Sequence, residues 1–259
     1  MHAMKIKSFF ILAASLASTA ISAQTARDIS EKATDAIEYD AMEMTSTLKI
    51  YDAKGSERIR QVTTATKKFG ETSKTLIKFI SPADVKGTAI LIYDHENAAD
   101  DMWIYMPALR KTRRIVSTEK GKNFMGSEFT NADMSKPNMN DFQYKILGSE
   151  TFEGKTCWKI ESACNNETVA SENGFSRKVS YIEEGSYLCH KVEFFDLQGK
   201  LHKIQFIRQY KKQASGKYFA YEMEMRNELN GRKSFMIIDK FQTGSTLPES
   251  AFTAAMLEK

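Results

Sequence analysis

The chain has 259 residues, 42% of them hydrophobic, which is enough apolar material for one large packed domain and too much for a disordered segment. Its formal net charge of +4 excludes the strongly basic balance expected of a nucleic-acid-binding surface. Sixteen Phe, ten Tyr and thirteen Met point instead to adaptable apolar surface, because Met is flexible and polarizable.

Residues 1–23 read as a cleaved signal peptide. Lys5 and Lys7 supply the positive region, an apolar run follows from Phe9 to about Leu16, and small residues lead to a cut after Ala23. That run is shorter than the roughly 20 residues a membrane-spanning helix needs, and no later run is longer. The expectation is export to the periplasm, with residues 24–259 as a single domain. Loss of the two lysines lowers the net charge to +2.

A helix is predicted over Thr25–Tyr39, where Ile29, Ala33, Ala36 and Ile37 recur at helical spacing. From Met42 the pattern alternates. Met44, Leu48 and Ile50 share one face, a turn follows at Ala53-Lys54-Gly55, and two more strands run to Ser81, where Pro82 ends the ladder. Residues 88–94 and 101–106 are two further strands. Both of their faces are apolar, so the alternation leaves open which face looks inward.

The acidic loop between them, with Asp94, His95, Glu96, Asp100 and Asp101, matches no calcium-loop spacing and reads as a polar hairpin loop. His95, His190 and His202 have no activated Ser or Cys nearby, so the expectation is a protein without enzymatic activity, metal or cofactor. Arg110, Lys111, Arg113 and Arg114 follow. They read either as a solvated strand end or as a basic rim that docks an anionic partner or lipid head group. Ser117–Asn140 carries little regular pattern, and within it KGKNFMGSEFTNADM (residues 120–134) is expected to be a mobile flap over a cavity mouth.

Seven strands are predicted in the second half: Phe142–Glu150, Lys155–Ser162, Ser176–Glu183, Leu188–Asp196, Leu201–Lys211, Tyr218–Leu229 and Lys233–Gln242. A short helix is predicted near Pro248. Phe219, Tyr221, Met223 and Met225 oppose Glu222, Glu224 and Arg226. Trp158 and Ile160 oppose Lys159 and Glu161, and Val192 and Phe194 oppose Lys191 and Glu193. Cys157, Cys164 and Cys189 are odd in number and their strand placement favours no disulfide.

About eleven one-sided strands have only two short helices to cover them. A small closed barrel would fill itself with side chains, whereas a wider or incomplete antiparallel barrel would leave a hydrophobic cavity, and the shortage of helix argues for a ligand site. The expected lining is Ile77, Phe79, Leu91, Tyr93, Trp103, Tyr105, Trp158, Ile160, Val192, Phe194, Phe219, Tyr221, Met223 and Met225.

The segments FISPADVKGTAILIYD, DDMWIYMPALRKTRRI and FMGSEFTNADM, with CWKIES and SYLCHKVEFFDLQGKL later, resemble the signature segments of the outer-membrane lipoprotein-sorting protein family. That family belongs to the superfamily of LolA and LolB lipoprotein carriers. The resemblance implies a mainly β fold: an incomplete, strongly curved antiparallel barrel with helices as a lid over the cavity. It implies a monomeric periplasmic carrier of acyl chains, of a lipoprotein or another lipid. Its implied partners are an inner-membrane transporter of the RND type or an outer-membrane acceptor. The alternative it allows is a lipid-sensing adaptor on the same scaffold.

Overall fold

Each strand of this chain has one apolar face to bury, and hairpin turns join most neighbours, so the strands add side by side into one sheet. The computed structural model describes residues 24–96 and 98–258; the signal-peptide segment lies outside them. The strands are β1 Ala41–Tyr51, β2 Glu57–Phe69, β3 Thr72–Ser81, β4 Ala89–His95, β5 Asp101–Met106, β6 Lys111–Arg114, β7 Phe142–Phe152, β8 Lys155–Cys164, β9 Arg177–Glu183, β10 Cys189–Phe195, β11 Leu201–Lys212, β12 Tyr218–Asn227 and β13 Lys233–Thr243.

They form one 13-stranded antiparallel sheet in the order β6-β5-β4-β3-β2-β1-β13-β12-β11-β10-β9-β8-β7. Two meanders, β1–β6 and β7–β13, are joined where β1 pairs with β13. The edge strands β6 and β7 do not pair with each other, so the sheet is an incomplete barrel. Register shifts at Thr45/Ser46, Gln61/Val62 and Ile146/Gly148 are β-bulges, which bend strands and increase their twist.

Among the described residues three α-helices accompany the sheet: α1 Ala26–Asp35, α2 Ser117–Lys120 and α3 Glu167–Asn173. Helix α1 starts at a capping box, in which the Thr25 hydroxyl accepts from the Asp28 N–H and the Asp28 carboxylate accepts from the Thr25 N–H, both at 3.1 Å. It packs against β7 and β8. Among the described residues no helix is long and apolar enough to cross a membrane.

Two elements escape the periodicity reading. Strand β6 is four residues of Lys, Thr and Arg with no apolar alternation. Helix α3 has no apolar stripe and is set by its ends, with the Asn166 side chain accepting from the Val169 N–H at 3.0 Å and Gly174 closing it at φ 78°. The C-terminal segment forms two 3-10 turns, Glu249–Ala251 and Ala254–Glu258, in place of the expected α-helix.

The main core lies on the sheet's inner face. It includes Leu48, Val62, Ile77, Phe79, Ile90, Ile92, Met102, Val192, Phe194, Met225 and Met236. A second cluster lies on the outer face of β4 and β5, where Ala89 and Leu91 pack with Phe252 and Leu257 of the C-terminal segment.

Candidate functional site

Inside the curved sheet a cavity of about 380 Å³ remains open. Its apolar wall comes from Met42, Met44 and Val62 of β1 and β2, Ile77 of β3, and Phe219, Met223 and Met236 of β12 and β13. Thr64, Thr66, Ser73 and Thr75 add hydroxyls to the β2–β3 side. The cross-strand pairs Thr64–Ile77, Thr66–Thr75 and Met223–Met236 fix these side chains on one face. Volume and lining both match those of small-molecule sites, which run to roughly 300–1,000 Å³ and are mostly apolar.

One end of the cavity is tied shut by charge. The Glu38 carboxylate, just beyond α1, accepts from Lys136 Nζ at 2.7 and 2.8 Å. The Lys136 backbone N–H donates to Asp94 Oδ1 at 3.1 Å. Burial, with repulsion from Asp100, raises the Asp94 carboxyl from 3.8 to about 7.

The segment expected to be a mobile flap is instead a plug. Residues 115–141 run from β6 to β7 along the inside of the sheet, and Phe124 and Phe129 are 1% and 2% exposed in the main core. Glu128, 1% exposed, anchors them. Its N–H donates to Ser234 Oγ at 3.0 Å, its carbonyl accepts from Lys203 Nζ at 2.6 Å, and its carboxylate accepts from Asn227 Nδ2 at 2.8 Å. Arg232 Nε lies 2.9 Å from the same carboxylate, and its Nη2 donates to the Gly126 carbonyl at 2.9 Å. A loop with that many buried ties is ordered by them, since a buried charge must be paired and hydrogen-bonded. The FMGSEFTNADM segment therefore fills the lumen's floor. The two Phe flanking a buried Glu were its only signal in sequence.

The predicted lining residues divide into three groups. Ile77, Phe79, Val192, Phe194, Phe219, Tyr221, Met223 and Met225 belong to the inner cluster, and Ile77, Phe219 and Met223 touch the cavity itself. Trp158 and Ile160 face the same side but are covered by Ala26 and Ile29 of α1. Leu91, Tyr93, Trp103 and Tyr105 are corrected: they point outward beneath the C-terminal segment, where the Tyr93 hydroxyl donates to the Phe252 carbonyl at 2.5 Å. Ile90, Ile92, Met102 and Ile104 look inward in their place. Both faces of β4 and β5 are apolar because both are buried. Met42, Met44, Val62 and Met236 went unnominated, although the β1 alternation had already placed Met44 with Leu48 and Ile50.

None of the four basic residues lines the cavity. Arg110, Lys111, Arg113 and Arg114 belong to the edge strand β6 and its preceding turn. Arg113 pairs with Glu119 at 2.6 Å and Arg114 with Asp101, while no carboxylate lies within 4.0 Å of Arg110 or Lys111 among the described residues. A charged edge strand resists pairing with another chain. In the acidic loop, His95 sits between Thr72 Oγ1 at 3.1 Å and Asp101 Oδ2 at 3.3 Å, so both ring nitrogens have structural partners. Cys157, Cys164 and Cys189 are free.

Residues 71–259 match a protein-family model described as "Uncharacterized protein", and the chain belongs to that family. An outer membrane lipoprotein-sorting protein domain from Vibrio parahaemolyticus superposes with a TM-score of 0.83 at 27% identity, covering 90% of this chain and 98% of that one. The fold of this chain is LolA-like. A DUF1329 family protein from Desulfovibrio piger shares the fold of this LolA-like chain at a TM-score of 0.83 and 24% identity, over 90% of this chain and 97% of that one. A LolA superfamily protein from Nitrosomonas europaea does so at 0.71 and 20%, over 89% and 98%. No curated protein matches the chain.

Proposed function

We propose that this LolA-like protein is a non-enzymatic periplasmic carrier that shelters the acyl chain of a lipoprotein or another lipid on its way between membranes. The observation that carries the reading is the apolar cavity of about 380 Å³ left open between the plug and the strands. An acyl chain in it gains about 0.8 kcal/mol per buried CH₂, so a handful of methylenes is enough for useful affinity without a specific polar contact. The Lys136–Glu38 tie at one end is a natural point of opening, since it is a single ion pair on exposed side chains. Donor and acceptor would be an inner-membrane transporter of the RND type and an outer-membrane acceptor, as the family resemblance implies. Arg110 and Lys111, which have no carboxylate within 4.0 Å among the described residues, are the cations best placed to dock on either.

The test has two parts. Native mass spectrometry of protein purified from its own periplasm should show a co-purified lipid. The purified protein should then move a fluorescent lipid from donor to acceptor vesicles. Binding without transfer would favour the adaptor reading. Absence of both would refute any lipid-handling role.

A further inference from the structure

Lys178 is the feature that the acyl-chain cavity leaves unexplained. It lies on β9 with the inward parity of Ser180 and Ile182, since Ser180 pairs with Ile160 and Val192, both on the inner face. Its ammonium stands 5.5 Å from the Phe142 ring centroid and 5.8 Å from that of Phe175. Those rings stack on each other at 6.2 Å and an interplanar angle of 12°. No carboxylate oxygen comes within 4.0 Å of the ammonium among the described residues. Burial pushes its pKa down. Two aromatic faces offset part of the desolvation of this half-buried cation, each contributing about 0.5–1 kcal/mol, but they do not supply a counter-charge.

Lys178 lines a second chamber of about 200 Å³. This chamber shares Asp133, Lys136, Pro137 and Gln205 with the acyl-chain cavity, so the two spaces meet along one wall. The apolar space and a cation that no carboxylate pairs directly, Asp133 acting on it only from beyond 4.0 Å, are therefore neighbours along that wall. Building on the carrier reading, we propose that Lys178 receives the head group of a singly charged anionic amphiphile whose chain occupies the apolar cavity.

The surrounding charges set the limit to a single negative charge. Lys136 is engaged by Glu38, and Lys120 by Asp100 at 3.2 Å. The Asp133 carboxylate accepts from the Thr130 N–H at 2.7 Å. Asp141 and Glu172 also line the chamber, where burial and mutual repulsion raise the Asp141 carboxyl. A dianionic head would meet those carboxylates, whereas one negative charge is neutralised at Lys178. A fatty-acid carboxylate and a phosphodiester both satisfy this chemistry.

The experiment measures binding of three probes to delipidated protein: a fluorescent fatty acid, a phosphatidylglycerol and a neutral diacylglycerol of equal chain length. The wild type should bind an anionic probe more tightly than the neutral one. Lys178→Met should weaken that anionic probe by about ten- to a hundredfold, the range of a lost charged hydrogen bond, and leave the neutral probe unchanged. Lys178→Arg should restore most of the preference. Whichever anionic probe loses affinity in Lys178→Met identifies the head group. Equal wild-type affinity for anionic and neutral probes, or an anionic preference unmoved in Lys178→Met, overturns the head-group site and leaves the carrier reading standing. Failure of all three probes to bind overturns both. If Lys178→Met does not fold, the wild-type comparison alone decides.

Discussion

At the scale of single residues, two buried carboxylates carry opposite consequences. The Glu128 carboxylate accepts from Asn227 and lies 2.9 Å from Arg232 and 3.9 Å from the buried Lys203, so removing it takes the counter-charge from Lys203 and leaves the Asn227 amide without its acceptor. Glu128→Ala should cost about 3–5 kcal/mol, the usual range when one partner of a buried ionic network is lost. Glu128→Gln should cost less, because the amide oxygen still accepts from Asn227. Urea denaturation of the two variants checks the order. Asp94 works the other way. Its folded-state pKa of about 7 lies above the ordinary aspartate value of 3.8, because burial and Asp100 disfavour its charge. The folded protein therefore holds this proton more tightly than the unfolded chain does. The contribution is fully present below 3.8 and is lost as pH rises towards about 7. Asp94→Asn cannot titrate and still accepts from the Lys136 N–H. The variant should gain stability relative to the wild type between pH 4 and pH 8, read from urea midpoints at the two ends. A difference that stays flat with pH would show that Asp94 ionises freely.

At the scale of elements, the C-terminal segment is as much a structural part as any strand. Phe252 is fully buried on the outer face of β4 and β5 against Phe69, at a centroid distance of 5.6 Å. Phe252→Ala should cost about 3–5 kcal/mol. Deleting residues after Gly244 should expose Trp103, so its fluorescence should shift to the red while that of Trp158, under α1, stays put. Single-Trp variants separate the two signals. This arrangement also explains what sequence could and could not reveal. Strand β12 has one apolar face and one charged face, so Phe219 and Met223 were placed inward by alternation alone. In β4 and β5 the alternation carries no information, because the cover over Leu91 and Trp103 arrives from about 150 residues downstream. The plug is harder still. Its anchor, Glu128, meets partners 75, 99 and 106 positions away, and no periodicity in the segment announces them. What was legible was the one-sidedness of strands such as β12; the expected count of about eleven fell short of thirteen, because a strand such as β6 has no apolar alternation. What was not legible was which part of the chain fills the inside of the sheet.

At the scale of the whole molecule, the plug and the open edge make a division of labour. The sheet does not close, so its interior is sealed by chain from within: Phe124 and Phe129 fill one part, α1 covers Trp158 and Ile160, and the remaining volume is the apolar cavity. If that volume is where ligand binds, filling it should abolish binding without harming the fold. Thr64 lines it from β2, at the centre of the β1–β2–β3 unit, and its side chain is small. Thr64→Phe adds a ring into open space and removes a hydroxyl. The empty variant should therefore melt close to the empty wild type. Ligand raises the stability of the wild type by RT ln(1 + [L]/Kd), which is about 2.7 kcal/mol at a hundredfold excess over Kd. In thermal melts with and without a fluorescent fatty acid, the wild type should show a ligand-dependent rise and Thr64→Phe should show none. A rise of equal size in both would place the acyl chain outside this cavity and overturn it as the binding site.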